Sequence, residues 1–548
     1  MPSFGTLLRT YRIERRMTQE TLAARSGVSS RSIVEMERGQ RSPRQKTLEH
    51  LADALDLADE ARSAFVEAGE TRRWSARSDP VGHAPPSTPG ETGPRQLPAD
   101  LPDFVGYDEE LAALSVALAP AAGGGTVVSI SGAPGMGKTV LAVHLAHRVA
   151  AWYPDGLLYV PLGGSGPSPV DPSDALSHLL RTVTGEQGPG HGDRAWQQAA
   201  FRTALADRRI LLVLDDASGY AQVSPLLTAG RSAVLVTSRL PLTGLPVTAT
   251  VDLQSLPEPD ALRLLGRIAG QRRIAEGRQA AVSLVRMCGG HPLAIRVLGA
   301  RLAARPDWGT GGLLGQMADE RHRLDEFRHG DLALRSPLEQ AYRNLTPLAG
   351  LGFALLGGLR VSTFPEWVSS VLLDLDRPSG ATVLQELLDA RLLEPAGLDV
   401  VTQPRYRFHE VVALLARERH ATVSPTKVRA ALGRLLEATL FLSGVAYERL
   451  REAALTKQET QSTEPRCPER PSELVARRPR DWFVAEREFL SYLVEVSDGA
   501  GLHESAATLS ALVERVRRLC EGGHEAVVTK TQNLQADLYS PAETSTHR

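Results

Sequence analysis

The sequence predicts a multidomain α and α/β protein, with an all-α N-terminal bundle, a parallel α/β domain and further helical regions. Three observations support this fold class. The chain has 548 residues, which is enough for about three to five domains. Its first 72 residues space their apolar side chains as short helices do. Residues 126–139 read as a strand that runs into a glycine-rich loop and a helix, as in parallel α/β domains.

Residues 1–72 are predicted to form a helix-turn-helix bundle. After a first amphipathic helix, Thr18 caps a second helix, and Gly27 makes a tight turn. Ser29 then caps a third helix. A helix, a glycine turn and another helix are the arrangement of helix-turn-helix modules that bind DNA.

This bundle resembles the lambda-repressor-like (XRE) class over the string TQETLAARSGVSSRSIVEMERGQRSP. Residues 1–46 hold ten Arg and Lys against four Glu, a local net charge of +6, whereas the whole chain carries −2. A basic surface of this kind favours phosphate binding. The resemblance implies that the third helix meets base edges, where Arg31 suits guanine. The implied DNA-binding residues are Ser30, Arg31 and Glu35 for bases, and Gln19, Arg38, Arg41 and Arg44 for phosphates.

A P-loop, GAPGMGKT, is predicted at residues 132–139, directly after the β-branched strand Thr126–Ser131. Glycines let backbone N–H groups surround phosphate oxygens, and the following helix adds the positive end of its dipole. The lysine supplies a compact charge for the β- and γ-phosphates, and the threonine an oxygen for Mg²⁺. A lysine here is informative, because 57 of the 62 basic residues are arginine. The predicted nucleotide-binding residues of this loop are Gly132, Gly135, Gly137, Lys138 and Thr139.

Two further strands end in charged residues. The apolar run Arg209–Leu214 is typical of a strand buried on both faces, and it ends in Asp215 and Asp216. Paired carboxylates there indicate a bound cation, so we predict that Asp215 holds Mg²⁺ and that Asp216 is catalytic, orienting the attacking water. The strand that begins at residue 233 leads to Arg239, which we predict to reach the γ-phosphate.

The order of these motifs resembles the NB-ARC class of STAND switch NTPases. The resemblance covers about residues 97–420 and extends to LPADLPDFVG (97–106), CGGHPLA (288–294) and YRFHE (406–410). It implies a P-loop nucleotide-binding α/β domain over residues 101–254, a helical domain over 255–334 and a winged-helix-like domain over 335–420.

The resemblance also implies roles for two residues outside the P-loop. Pro292 would pack on the adenine, and His409 would contact the β-phosphate of ADP and hold a closed state. Three positions depart from the family pattern. Tyr107 stands where an arginine is usual and removes a cation near the nucleotide. His291 takes the place of a leucine, and Glu410 that of an aspartate.

The segments outside these modules are less informative. Residues 73–100 are predicted to be a flexible linker, because Ser75–Asp100 contains six prolines. Residues 421–548 are predicted to be a helical C-terminal region, with an exposed polar loop over Gln458–Arg480. No repeat of about 34 residues is found there. The repeat sensor of the resembled regulators is therefore missing, degenerate or supplied by a partner.

Composition predicts the compartment. Three cysteines without close spacing exclude a disulfide scaffold and fit a reducing environment. The first residues show no apolar signal segment, and no run of about 18 apolar residues occurs. We therefore expect a cytoplasmic protein that associates with the nucleoid when bound to DNA, and no membrane partner.

These observations predict a nucleotide-switched, sequence-specific transcriptional regulator that binds double-stranded DNA, ATP or ADP, and Mg²⁺. ADP would keep it closed, and ATP would permit assembly into a homo-oligomer. Hydrolysis is expected to be slow, as in a switch. Two alternatives remain open. One is a STAND-type defence or stress-signalling ATPase whose N-terminal module mainly contacts protein. The other is an ATPase that remodels DNA or protein with continuous turnover.

Overall fold

The structure is a computed structural model, and it confirms the predicted combination of helical and parallel α/β regions. It describes residues 4–15, 17–37, 45–57, 61–62, 65, 93–120, 125–166, 168–185, 194–227, 230–456 and 471–538, with some side chains left out within helices.

The N-terminal bundle consists of the helices Phe4–Glu14, Gln19–Ser26, Ser30–Glu37 and Gln45–Ala54. The hydroxyl of Thr18 accepts a hydrogen bond from the N–H of Thr21 at 3.1 Å. Gly27 ends the second helix with φ of 68°, a left-handed conformation that glycine adopts without strain. Both features follow the sequence prediction. The fully buried side chains of this bundle include Phe4, Leu8, Leu22, Ile33, Met36, Leu48, Leu51 and Phe65.

The central domain is built on a five-stranded sheet in the order β2-β3-β4-β1-β5, with all strands parallel. The strands are β1 (Thr126–Gly132), β2 (Gly156–Pro161), β3 (Ile210–Ala217), β4 (Ala233–Ser238) and β5 (Ala249–Leu253). The main helices of this domain are Asp108–Leu118, Lys138–Arg148, Pro172–Thr184 and Arg194–Leu205. The central strands β1, β3 and β4 are buried almost throughout, as expected of a parallel sheet.

Strand β3 is longer than the predicted Arg209–Leu214, because its pairing with β4 continues past the two aspartates. The register between these strands shifts between Leu214 and Ala217. Asp216 lies in this irregular stretch with φ of 56°. The shift aims neighbouring side chains in directions that a regular strand would not give.

The helical region after the sheet contains Glu258–Ala269, Gln271–Glu276, Arg278–Met287, Pro292–Ala303, Thr310–Gln316 and Glu320–Glu326. A two-stranded hairpin, Arg328–His329 with Leu332–Ala333, follows. The region predicted to be winged-helix-like, residues 335–420, then has the helices Arg335–Arg343, Pro347–Gly357, Trp367–Leu373, Arg377–Asp389 and Glu410–Ala421. Its small antiparallel sheet places Pro404–Arg407 between Phe364–Pro365 and Glu394–Leu398.

The C-terminal region is helical, with Pro425–Thr456, Pro471–Arg477, Pro479–Gly499 and His503–Leu538. The prediction of a loop over Gln458–Arg480 is wrong for the second half of that segment. Leu474 and Val475 are buried there, so the segment forms a helix that packs inward. Residues 457–470 lie outside the described part of the chain.

A buried ion pair joins the winged-helix-like region to these C-terminal helices. Nη1 of Arg405 lies 2.7 Å from Oε1 of Glu486, whose side chain is fully buried. Removing one partner of such a pair leaves an uncompensated buried charge, so the two regions are expected to stay together.

Among the described residues, one helical stretch, Pro425–Ala453, is long and apolar enough to cross a membrane by length and composition alone. This is a weak indication. Core helices of globular domains pass the same test, and this helix packs against Pro479–Gly499 and His503–Leu538.

Candidate functional site

The P-loop joins the carboxyl end of β1 to the helix Lys138–Arg148. Gly132, Gly135 and Gly137 have φ of 149°, 79° and 88°, values that disfavour other residues. A Cβ on Gly135 would lie 2.5 Å from Cε1 of His291, so this glycine also permits a close approach. Nζ of Lys138 donates to the carbonyl oxygens of Gly132 and Ala133, both at 2.8 Å. The ammonium group is thus held over the P-loop, where the phosphates of a nucleotide would bind.

Asp215 is held by three hydroxyl groups. Thr139 Oγ1 and Thr237 Oγ1 donate to its Oδ1 at 2.8 and 2.5 Å, and Tyr159 OH donates to Oδ2 at 2.7 Å. The oxygens of Thr139 and Asp215 are of the type that Mg²⁺ prefers, and they lie side by side. These two residues therefore fit a magnesium ion. Thr237 and Tyr159 were not predicted, because their role depends on strand register.

Asp216 points away from Asp215, towards the loop that follows β2. Its Oδ2 accepts hydrogen bonds from the N–H and the hydroxyl of Ser165 at 3.0 and 2.7 Å. The catalytic role of Asp216 stays a prediction.

The phosphate end of the site is rich in cations. Burial, with a contribution from the charge of Arg239, lowers the pKa of Lys138 to about 8, although Asp216 and Asp215 oppose the shift. Burial also lowers the pKa of Arg239. Arg239 follows β4 directly, as predicted. A site that crowds cations in this way favours a polyanionic ligand, since the ligand would relieve their repulsion.

A cavity of about 260 Å³ lies next to the P-loop. Pro292 lines it at the first turn of the helix Pro292–Ala303, and its packing on the base stays a prediction. Among the other lining residues are Phe104, Val105, Tyr107, Met136, Leu256, Leu264, Leu293 and Arg296. The cavity is therefore apolar on most of its wall, as pockets for small molecules commonly are.

Tyr107 stands where the family has a cation, and it also connects two segments around the site. It adopts φ of 60°, an uncommon conformation for a large side chain. Its hydroxyl lies 3.0 Å from the carbonyl oxygen of Met136 and 2.9 Å from that of Gln254. Burial raises its pKa, so the hydroxyl keeps its proton. Tyr107 thus connects the P-loop to the segment after β5.

His291 supports the P-loop from the helical region. Its Nδ1 accepts a hydrogen bond from the N–H of Ala294 at 3.4 Å, so Nε2 carries the proton and donates to the carbonyl of Pro134 at 3.0 Å. Burial, with the charge of His409, lowers its pKa to about 3. The ring is therefore neutral at physiological pH.

His409 begins the helix Glu410–Ala421 and caps it, because its Nδ1 accepts from the N–H of Val411 at 3.3 Å. Nε2 lies 2.8 Å from Ser255 Oγ and 3.2 Å from the carbonyl of Gly289. Burial lowers its pKa. His409 is not among the residues that line the cavity, and its contact with a β-phosphate stays a prediction.

The predicted DNA-binding residues are only partly described. Ser30 is exposed at the first turn of the helix Ser30–Glu37. Nε2 of Gln19 donates to Glu37 at 2.7 Å, and Arg12 pairs with the same carboxylate at 2.6 Å. Burial opposes the ionisation of Glu37, but these hydrogen bonds lower its pKa overall.

The amide of Gln19 is thus paired with Glu37 and is partly buried. The side chains of Arg31 and Glu35 lie outside the described part of their helix, as do Arg38, Arg41 and Arg44 altogether.

Comparison with known proteins supports both modules. The model of a helix-turn-helix domain matches residues 3–65. The regulatory protein AfsR of Streptomyces coelicolor is 39% identical over 368 residues, which are 65% of this chain and 36% of the relative. The transcriptional repressor RghR of Bacillus subtilis is 44% identical over 71 residues, 12% of this chain and 53% of that protein. The chain spans about a third of the length of AfsR.

A solved STAND protein with a tetratricopeptide repeat sensor from Pyrococcus horikoshii is a more distant neighbour. It is 16% identical, with a TM-score of 0.28, over 75% of this chain and 58% of its own. These similarities confirm the helix-turn-helix domain and support its predicted fusion to an NB-ARC-like P-loop module of the STAND class.

Proposed function

We propose that this chain is a transcriptional regulator that binds specific DNA sites and whose assembly on them is switched by ATP and ADP. The helix-turn-helix domain supports DNA binding, and its relatives include proteins named as a regulator and as a repressor. The P-loop geometry supports nucleotide binding. Lys138 would meet the β- and γ-phosphates, and Thr139 with Asp215 would hold Mg²⁺.

One observation carries the proposal that nucleotide acts as a switch. His291 lies against the P-loop at Gly135, and His409 of the winged-helix-like region packs on His291 with ring centroids 5.5 Å apart. A change in the P-loop would therefore alter the packing between the helical region and the winged-helix-like region. ADP would favour the closed packing, in which His409 approaches the β-phosphate. ATP would favour an open form.

The open form would self-associate. Several helix-turn-helix modules on one assembly would then meet repeated half-sites, which raises DNA affinity through effective concentration. Ser30, Arg31 and Glu35 would read bases, while Gln19, Arg38, Arg41 and Arg44 would bind phosphates. Asp216 would orient water for a slow hydrolysis that returns the switch to its ADP form. The protein would act in the cytoplasm, at the nucleoid when bound to DNA.

The test is sedimentation of the full chain, loaded with ADP or with a non-hydrolysable ATP analogue, with and without DNA. We expect the ADP form to sediment as a smaller species, and the ATP form to assemble and to carry DNA with it. Nucleotide binding without any DNA binding would favour the alternative, a STAND-type signalling ATPase whose N-terminal module contacts protein.

A further inference from the structure

Arg391 connects the winged-helix-like region to the nucleotide domain. It follows the helix Arg377–Asp389, and its guanidinium forms two hydrogen bonds with Asp252, Nη2–Oδ1 at 2.6 Å and Nη1–Oδ2 at 3.0 Å. Nε donates to the carbonyl oxygen of Arg239 at 3.0 Å. The Arg391 side chain is only 20% exposed. A bidentate, partly buried ion pair such as Arg391–Asp252 is stronger than an exposed ion pair.

The two partners of Arg391 stand on either side of the P-loop strand. Arg239 follows β4 and Asp252 belongs to β5, while β1 lies between these strands. Oδ1 of Asp252 also accepts a hydrogen bond from Ser131 Oγ at 2.6 Å, and Ser131 directly precedes the first glycine of the loop. Arg391 thus bridges the two walls of the phosphate site and reaches the P-loop strand through one further hydrogen bond.

The backbone at Arg391 is one that glycine normally occupies. Its φ is 56°. The N–H groups of Arg391 and Leu392 return to the carbonyls of Leu388 and Leu387, the pattern that ends a helix with a left-handed residue. An arginine there costs free energy that glycine would not. The strained backbone is compatible with a role for the side chain rather than for the turn.

The charge of Arg391 also reaches the P-loop. Besides burial and Arg239, Arg391 contributes to the lowered pKa of Lys138. The side chains of Lys138, Arg239 and Arg391, from three different segments, therefore place three positive charges around the site where phosphates would bind.

We propose that Arg391 is a positioning residue for the nucleotide, supplied by the winged-helix-like region. By bridging Arg239 and Asp252 it keeps the phosphate site in the arrangement that retains a bound diphosphate. Nucleotide in turn favours the docking of that region, because such coupling is reciprocal. The proposal rests on the proposed nucleotide binding at the P-loop.

The decisive variant is Arg391→Gly in the full chain, since glycine relieves the backbone strain while the side chain is lost. We expect the unfolding midpoint to stay the same or to rise, and the release of a fluorescent ADP analogue to become at least about fivefold faster. Asp252→Asn should accelerate release similarly, while keeping an acceptor for Ser131. Because the pair acts as a unit, the double variant should release ADP no faster than the faster single variant.

Arg377→Ala is the matched control, because Arg377 begins the helix that Arg391 follows and pairs with Glu366 of its own region. It should leave ADP release unchanged. The proposal is overturned if Arg391→Gly releases ADP at the wild-type or control rate, or if its unfolding midpoint falls, which would show a structural role. A wild-type chain that binds no nucleotide would instead refute the proposed function.

Discussion

His291 and His409 meet edge to face, with ring centroids 5.5 Å apart and ring planes at 73°. Each histidine caps its own helix through Nδ1. His291 belongs to the helical region that supports the P-loop, and His409 to the winged-helix-like region. The pair is therefore a direct packing contact between the phosphate site and the region that the switch is proposed to move.

His409→Ala should loosen the closed state and accelerate the release of ADP. The expected coupling is about 1–3 kcal/mol, or roughly 5- to 150-fold in rate if it appears wholly in release. Stopped-flow release of a fluorescent ADP analogue measures it.

His409→Asn separates this effect from the loss of a helix cap. Asparagine can cap the helix Glu410–Ala421 but is too short to replace the ring against His291. It should release ADP nearly as fast as the alanine variant. Wild-type release rates in both variants would show that His409 has only a packing role.

The buried state of His291 predicts a loss of stability at mildly acid pH. Its pKa is lowered to about 3 in the folded chain, against an ordinary value of 6.5. Between these values the unfolded chain binds a proton that the folded chain does not, so stability falls as the pH drops below 6.5. This residue alone should remove about 1.4 kcal/mol at a pH one unit below its ordinary pKa.

His291→Asn is the variant that tests this contribution, because asparagine also caps helices and does not titrate. Apparent unfolding midpoints measured from about pH 7.5 to 5.5 should fall less steeply in the variant than in the wild type. Parallel curves would mean that other groups dominate the pH dependence.

Lys138→Ala should abolish measurable binding of ATP and ADP, because the loop loses its charge for the phosphates. A loss of at least about 2 kcal/mol is expected for a charged hydrogen-bonding group. Isothermal titration in the presence of Mg²⁺ measures the affinity, and circular dichroism checks the fold. Lys427→Ala, at an exposed lysine, is the control and should bind as the wild type does. Equal affinity in the Lys138 variant would refute the P-loop assignment.

The sequence was most informative where function depends on one short segment. The P-loop was predictable because its glycines, lysine and threonine must follow one another along the chain. Thr18 and Gly27 were predictable for the same reason. Tyr159, Thr237 and Ser165 hold the two aspartates from separate segments, and only the packing of the strands brings them there.

Other features required the folded chain. The sequence showed Tyr107 as the loss of a cation, whereas its hydroxyl joins the P-loop to the segment after β5. Arg391 carried no local signal, since only its positive φ and its partners on two strands distinguish it from other surface arginines. The polar composition near Pro471 suggested a loop, but Pro471–Arg477 forms a helix, and two of its side chains are buried.

Two arginines of the N-terminal module should differ in what they contribute to DNA binding. Arg31→Ala should cost about 1–3 kcal/mol on the cognate site and relax the preference at one base pair, because a guanidinium can bond twice to guanine. Arg41→Ala should weaken all sequences about equally and lower the salt slope by about 1. Binding titrations on cognate and scrambled DNA at several salt concentrations distinguish the two. Identical behaviour of both variants would contradict the assigned roles.

The most direct test of the switch compares DNA affinity in gel-shift titrations of three samples: residues 1–72 alone, the full chain with ADP, and the full chain with a non-hydrolysable ATP analogue. A single helix-turn-helix module buries little surface, so we expect the isolated segment and the ADP form to bind weakly. The ATP form should bind more tightly, with complexes of several chains on repeated half-sites. Equal affinity in all three samples would contradict the coupling between nucleotide and DNA binding.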